Sequence, residues 1–285
     1  VLSAEELRAR ADSLGWFHPI DLGQGVVTRG LSKGPFLGAE ELPDLTGKSV
    51  LDIGAWDGYY SFLAERLGAA RVVALDHYVW GVDMVAREKY WAACAQRGEL
   101  PDHERDTTEF WRPELPGRRA FDFAREVLNS KVEPMVADFA TVDLDTVGRF
   151  DVVLYLGVLY HMKEPLRALE RLRKVTKEVA VIETQAIAVS GVEELGLLQF
   201  FAGDEFMHDF GNWYIPSLEA IRQLVRAAGF SGMTTVVGPE SAQWSGSKRH
   251  PRLAALRRAL QRSGTPSPVD HQRCAYYRAV VHAHV

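Results

Sequence analysis

Short apolar runs alternate with amphipathic helical patterns over most of this chain. Residues 49–53 (SVLDI) read as a buried strand, and SFLAERLGA after it as a helix closing at Gly68. RVVALD is a second strand, VEPMVADFA contains a third, and FDVVLYL is a fourth. PLRALERLRKV follows as a helix, with Pro165 in its first turn and Leu166, Leu169 and Leu172 on one face. EVAVIET is the next strand. SLEAIRQLVRAAG is an amphipathic helix capped by Ser217, with Gly229 just past its end. MTTVVG and YYRAVVHA are the last strands. This alternation predicts an α/β fold, a Rossmann-like, mostly parallel sheet with helices on both faces.

Three stretches stand outside that rhythm. Residues 1–48 open with a helix whose Ser3 and Glu6 form a capping box, continue through a hairpin around Gly23 and Gly25, and end in a loop containing SKGPF. They are predicted to form a lid on a main domain spanning 49–285. Residues 78–117 and 187–216 interrupt that domain with aromatic-rich insertions. Each follows a strand and so emerges where open α/β sheets bind ligands. The first is predicted to be a mostly helical cap. Residues 239–273 carry Lys248, Arg249, Arg252, Arg257, Arg258 and Arg262, with Leu253, Leu256 and Leu260 on one helical face. A solvated amphipathic helix and an anion- or RNA-contacting patch both suit that pattern.

Composition changes this picture little. At 285 residues, 47% hydrophobic and 25% charged, the chain is ordinary for a globular domain with insertions. A net charge of −5 gives no general attraction for nucleic-acid phosphate. Cys94 and Cys274 have no metal-type spacing and read as reduced thiols of a cytoplasmic protein; no metal is expected. No apolar run suits a membrane helix, and the first residues do not read as a secretory leader.

The chemistry concentrates at strand ends. In VLDIGAWDGYYSF, Gly54 and Gly58 bring bare backbone to a ligand, and the helix after them offers free N–H groups. The G-x-x-x-G spacing is neither the dinucleotide fingerprint nor a P-loop, so no pyrophosphate is implied. Asp76 ends the second strand, where an acid accepts bonds from ribose hydroxyls. Asp138 ends the third, within reach of an exocyclic adenine amine. Asp52 and Asp57 in the first loop suit a cationic ligand. Together these acids point to a positively charged adenosine derivative, S-adenosylmethionine. His77, Phe139, Leu156 and Gly157, at the same strand ends, complete the expected cofactor pocket.

In the order VLDIGAWDG, VVALD, VADF, FDVVLYLGVLYH, the chain resembles the class I S-adenosylmethionine-dependent methyltransferases. That resemblance implies a seven-stranded sheet with an antiparallel final strand, supplied by YYRAVVHA. SKGPF, LYLGVLYHMKEPLRAL and GNWYIPSLEAIRQLVRAAGF are similar to the bacterial tRNA wobble-uridine (5-oxyuridine) methyltransferases and carboxymethyltransferases. There, a lysine, a tyrosine and an arginine hold the carboxylate of carboxy-S-adenosylmethionine, roles that fall here on Lys33, Tyr160 and Arg278. The same groups serve equally to hold an acidic substrate or to order the cap over plain S-adenosylmethionine.

The acidic, aromatic first insertion is a poor surface for RNA. The expected reaction is therefore methyl transfer to a hydroxyl of a small molecule, a specialised metabolite, with tRNA modification and a non-catalytic cofactor-binding protein as the alternatives. His161 is the candidate base, with His208 and Asp209 as substitutes, and Tyr160 is expected to face the sulfonium. Trp80, Trp91, Trp111, Trp213 and Tyr214, with His208, are the candidate substrate clamp. Association into a homo-oligomer is left open.

Overall fold

The computed structural model describes residues 2–34, 36–242 and 274–285. Its centre is a seven-stranded sheet built from β1 (Ser49–Ile53), β2 (Arg71–Asp76), β3 (Glu133–Val136), β4 (Phe150–Leu156), β5 (Thr176–Val189), β8 (Gly232–Val237) and β9 (Cys274–His284). The strand order is β3-β2-β1-β4-β5-β9-β8. β1 to β5 pair in parallel, and β9 runs antiparallel between β5 and β8. This is the α/β architecture the strand–helix rhythm predicts, with the antiparallel last strand that the resemblance implies.

Alternate residues of each strand feed two cores. Val50, Val72, Ala74, Val152, Leu154 and Val181 pack under α2 (Tyr59–Arg66), α6 (Arg119–Val127) and the N-terminal segment, which adds Leu7 of α1 (Ala4–Asp12), Trp16 and Ile20. Leu51, Ile53, Val73, Leu75, Val153 and Tyr155 face the other way, onto α8 (Pro165–Val175) and α9 (Leu218–Ala227). Strands buried on both faces explain why β1, β2 and β4 are almost continuously apolar.

Helix ends follow the predicted caps. Ser3 and Glu6 form the capping box, Ser217 Oγ accepts from Ala220 N–H, and Gly229 has φ +90°. The N-terminal turn is less regular than a hairpin. Leu22 N–H donates to Val26 O and Thr28 N–H to Ile20 O, but its arms are joined by isolated bridges, Asp21 to Val27 and Trp16 to Gly30, and not by a ladder. Thr28 Oγ1 accepts from Ile20 N–H and donates to His18 O, so side chain replaces ladder there.

Residues 78–118 hold α3 (Tyr78–Gly81), α4 (Met84–Arg97), α5 (His103–Thr108) and a 3-10 turn at Pro116–Arg118. A further short helix, α7 (Leu144–Val147), links β3 to β4. In the second insertion, β5 runs on to Val189 and a small hairpin follows, β6 (Leu198–Phe200) with β7 (Tyr214–Pro216). The basic stretch with Lys248 and Arg262 lies outside the described residues.

Candidate active site

The glycine turn after β1 is where backbone conformation decides residue type. Gly54 has φ +79° and Gly58 φ +83°. A Cβ on Gly54 would sit 2.7 Å from Val158 Cγ2, and one on Gly58 would press on the Phe121 and Phe62 rings at 2.6 and 2.7 Å. Only glycine meets both demands there. Between them Trp56 has φ +48° and stacks on Phe17, their centroids 4.2 Å apart.

Asp76 is buried at the end of β2 and accepts the N–H groups of Trp56 at 2.9 Å and Val79 at 3.0 Å. Burial pushes its carboxyl up to about 6, against those backbone bonds. Asp52 is also buried; its carboxyl is likewise pushed up to about 6 by burial, against a 2.6 Å bond from Ser61 Oγ. Two desolvated carboxyls beside an open glycine turn are an environment that a bound cation would favour.

Asp57 has a different task from the one its position suggests. Phe17 N–H and His18 N–H donate to Oδ2 at 2.9 and 2.7 Å, and His18 Nδ1 lies 2.8 Å from Oδ1. Its oxygens hold the N-terminal segment on the glycine turn rather than waiting for a ligand. Asp138 accepts from Ala140 N–H and Thr141 Oγ1, capping its own turn. Phe139 packs into the core beside Tyr155. His77 stacks on Trp111, centroids 4.2 Å apart, and burial lowers its pKa while Asp138 opposes.

The ends of β4, β5 and β9 form a second cluster. Gly157, after Leu156, has φ +70° and donates its N–H to Glu183 O. Glu183 itself is 2% exposed, directly after the apolar run 179–182 of β5. Arg278 Nε lies 2.6 Å from Glu183 Oε1, in a contact too oblique to count as a hydrogen bond for either atom. Arg278 Nη2 is 3.4 Å from Tyr160 Oη, and Phe36 covers the guanidinium, Cζ to centroid 3.8 Å. Burial raises the Glu183 and Tyr160 pKa values, and Arg278 opposes both shifts. Lys33 is exposed and makes no ion pair among the described residues.

His161 ends a 3-10 turn, Leu159–His161, and its Nδ1 lies 3.0 Å from Gly211 O of the second insertion. A carbonyl accepts only, so Nδ1 carries the proton and Nε2 the lone pair. Burial lowers its pKa, with Asp209 opposing.

The predicted aromatic clamp is largely structural. Trp80 is fully buried on Phe121 and donates its indole N–H to Trp56 O. Trp91 is buried and donates to Asp106. Tyr214 is buried with its hydroxyl on Leu159 O. His208 points to solvent, 94% exposed, near Asp204. Trp111 and Trp213 are half-buried, the first over Gly81 and the second under Lys163 Nζ at 4.6 Å. Trp80 joins the core under α2 and α6, while Trp91 and Tyr214 anchor their insertions through buried hydrogen bonds. Sequence reasoning passed over Phe17, His18, Phe36 and Glu183. A lone acid directly after the apolar run of β5 was the available signal for Glu183.

Residues 33–235 match the family model described as a methyltransferase domain. The chain belongs to that family. On this fold it is a class I, S-adenosylmethionine-dependent methyltransferase domain. It is 27% identical over 209 residues to a tRNA U34 carboxymethyltransferase of Pseudomonas putida (strain W619), covering 70% of this chain and 53% of that protein. It is 26% identical over 232 residues to a tRNA U34 carboxymethyltransferase of Ectopseudomonas mendocina (strain ymp), covering 81% and 58%. The chain thus spans little more than half the length of these curated relatives. Among solved structures, the N-terminal domain of EvdMO1 with SAH bound superposes with a TM-score of 0.61 at 18% identity, covering 100% of this chain and 98% of that one. That likeness shows the fold. No helix among the described residues is long and apolar enough to cross a membrane.

The residues present fit an adenosyl sulfonium. Gly54 presents bare backbone where a Cβ would press on Val158, and the buried acids Asp52 and Asp76, rather than lysines, stand at the adjoining strand ends.

Proposed function

We infer that this domain methylates a hydroxyl of a small-molecule acceptor. The observation that carries the reading is His161 held as its Nδ1–H tautomer by Gly211 O. That leaves Nε2 as a neutral base, and burial keeps it so near neutral pH.

S-adenosylmethionine, when bound, supplies the electrophilic methyl group. The turn at Gly54 and the Asp76 carboxyl would hold its adenosyl part, and Gly157 with Tyr160 would border its sulfonium. His161 Nε2 takes the acceptor's hydroxyl proton. The two insertions exclude water and hold the acceptor. Plain S-adenosylmethionine is favoured over the carboxylated form because Arg278 already has Glu183 at 2.6 Å, which balances its charge.

A second reading, carboxymethyl or methyl transfer to a tRNA wobble uridine, is supported by the names of the curated relatives and by the 3.4 Å approach of Arg278 to Tyr160. One experiment separates the two. The protein is incubated with S-adenosylmethionine or carboxy-S-adenosylmethionine, each labelled in the group it transfers, together with bulk tRNA and a small-metabolite extract. Label in the small-molecule fraction supports the first reading. Label in RNA, with binding that weakens steeply as salt rises, overturns it.

A further inference from the structure

Arg87 of α4 is 4% exposed, inside the first insertion. Asp106 of α5 accepts from its Nε at 2.8 Å and from its Nη2. The Trp91 indole N–H donates to the same Asp106 Oδ1 at 2.7 Å. Two rings flank the guanidinium, its Cζ 4.4 Å from the Tyr78 centroid and 4.2 Å from that of Trp91. One end is left over. Nη1 is buried and has no hydrogen-bond partner. Folded chains seldom leave a charged donor so, because burial strips its water without replacement.

Its surroundings connect it to the base. Trp91 packs edge-on against Phe210, and its Cη2 lies 3.8 Å from the position a Cβ on Gly211 would take. His161 Nδ1 and Asp209 Oδ1 lie 3.6 and 3.0 Å from that same point. A cavity of about 310 Å³ lies across the Trp91 and Phe210 rings from that cluster, between α4 and the second insertion, with Glu88, Asp204 and His208 also in its wall. Asp209 Oδ1 accepts from Gly211 N–H at 2.6 Å, while its Oδ2 has no hydrogen bond among the described residues. The region therefore offers one unused donor, Arg87 Nη1, and two acceptors, Asp209 Oδ2 and His161 Nε2.

Charge narrows what fits. Asp106 already balances Arg87, Asp209 adds negative charge at Gly211, and Glu88 and Asp204 add more in the cavity wall. A phosphate or carboxylate entering here meets repulsion, whereas an uncharged oxygen does not.

Resting on the function inferred above, we propose that Arg87 Nη1 donates to an uncharged oxygen of the methyl acceptor, and that the acceptor is a neutral molecule with at least two hydroxyls. One hydroxyl gives its proton to His161 and another donates to Asp209.

The test uses tryptophan fluorescence of the whole chain saturated with S-adenosylhomocysteine, titrated with catechol and with salicylate, which has a carboxylate in place of one hydroxyl. Catechol is expected to bind at least ten-fold more tightly than salicylate. Arg87→Lys, which keeps a charge for Asp106, is expected to weaken catechol at least ten-fold and leave S-adenosylhomocysteine affinity within about two-fold. Salicylate binding as tightly as catechol, no catechol binding, or a folded Arg87→Lys protein with unchanged catechol affinity would each overturn the proposal. Should Arg87→Lys not fold, the preference between the two probes in the unsubstituted chain decides alone. Failure to bind S-adenosylhomocysteine at all removes the cofactor reading beneath the proposal, an outcome distinct from failure of the probes.

Discussion

His18 and Asp57, 39 positions apart, form a buried latch: the imidazole and two consecutive backbone N–H groups converge on one carboxylate beside the glycine turn. It ties the segment before the sheet to the residues that would cradle the cofactor. Asp57→Ala leaves three buried donors without an acceptor. It is expected to lower stability by about 3 kcal/mol, read as a shift in the urea midpoint, and to weaken S-adenosylhomocysteine binding.

Gly54→Ala and Gly58→Ala should separate fold from site. Both enforce a left-handed backbone, costing about 1–2 kcal/mol. At Gly58 the new Cβ also meets the packed Phe62 and Phe121 rings, and the total should reach roughly 2–4 kcal/mol in denaturant melts. At Gly54 it meets only the end of Val158. Its main effect should appear in calorimetry, as lost cofactor affinity.

His161 gives a signed pH prediction. Burial lowers its folded pKa below the ordinary value near 6.5. The unfolded chain therefore takes up a proton first as pH falls, and the stability due to neutral His161 is present above about pH 6.5 and lost below it. The acid limb of kcat/KM should likewise lie below pH 6.5. His161→Gln should cut kcat by about 10²–10⁴-fold, with S-adenosylhomocysteine affinity held within about three-fold. Unchanged turnover would end its assignment as base.

On the proposed function, Glu183 and Arg278 would set the preference between the two cofactor forms. Glu183→Gln keeps shape and frees the arginine's charge. It should improve affinity for carboxy-S-adenosylmethionine relative to S-adenosylmethionine by about ten-fold, measured by competition, and lower overall stability because a half-buried cation loses its partner. A ratio that does not move would show that Glu183 is not what selects the form.

The framework was legible because it is local. A strand buried on both faces must be apolar, and a helix on that sheet must show one apolar side, so β1, β2, β4, α8 and α9 announce themselves. Ser3, Ser217 and Gly229 announced helix ends for the same reason. The site was legible where backbone geometry demands a residue type, at Gly54 and Gly58. It was not legible where the contact is long-range. Nothing near Asp57 indicates that residues 17 and 18 would consume its oxygens, and nothing near Trp80 or Tyr214 distinguishes an anchor of the interior from a ligand platform. Sequence spacing identifies what a short segment can do; which of several candidate partners a carboxylate or ring meets is decided by the fold.

The latch and the position of β9 bear on how this domain is excised for study. The homology limits, residues 33–235, cut into the folded body at both ends. A fragment cut there would discard Phe17 and His18, stranding Asp57, and would remove β9 from between β5 and β8, leaving two raw sheet borders and no Arg278. Such a fragment should be prone to self-association through those borders, and its inertness would say nothing about the chemistry of the intact chain.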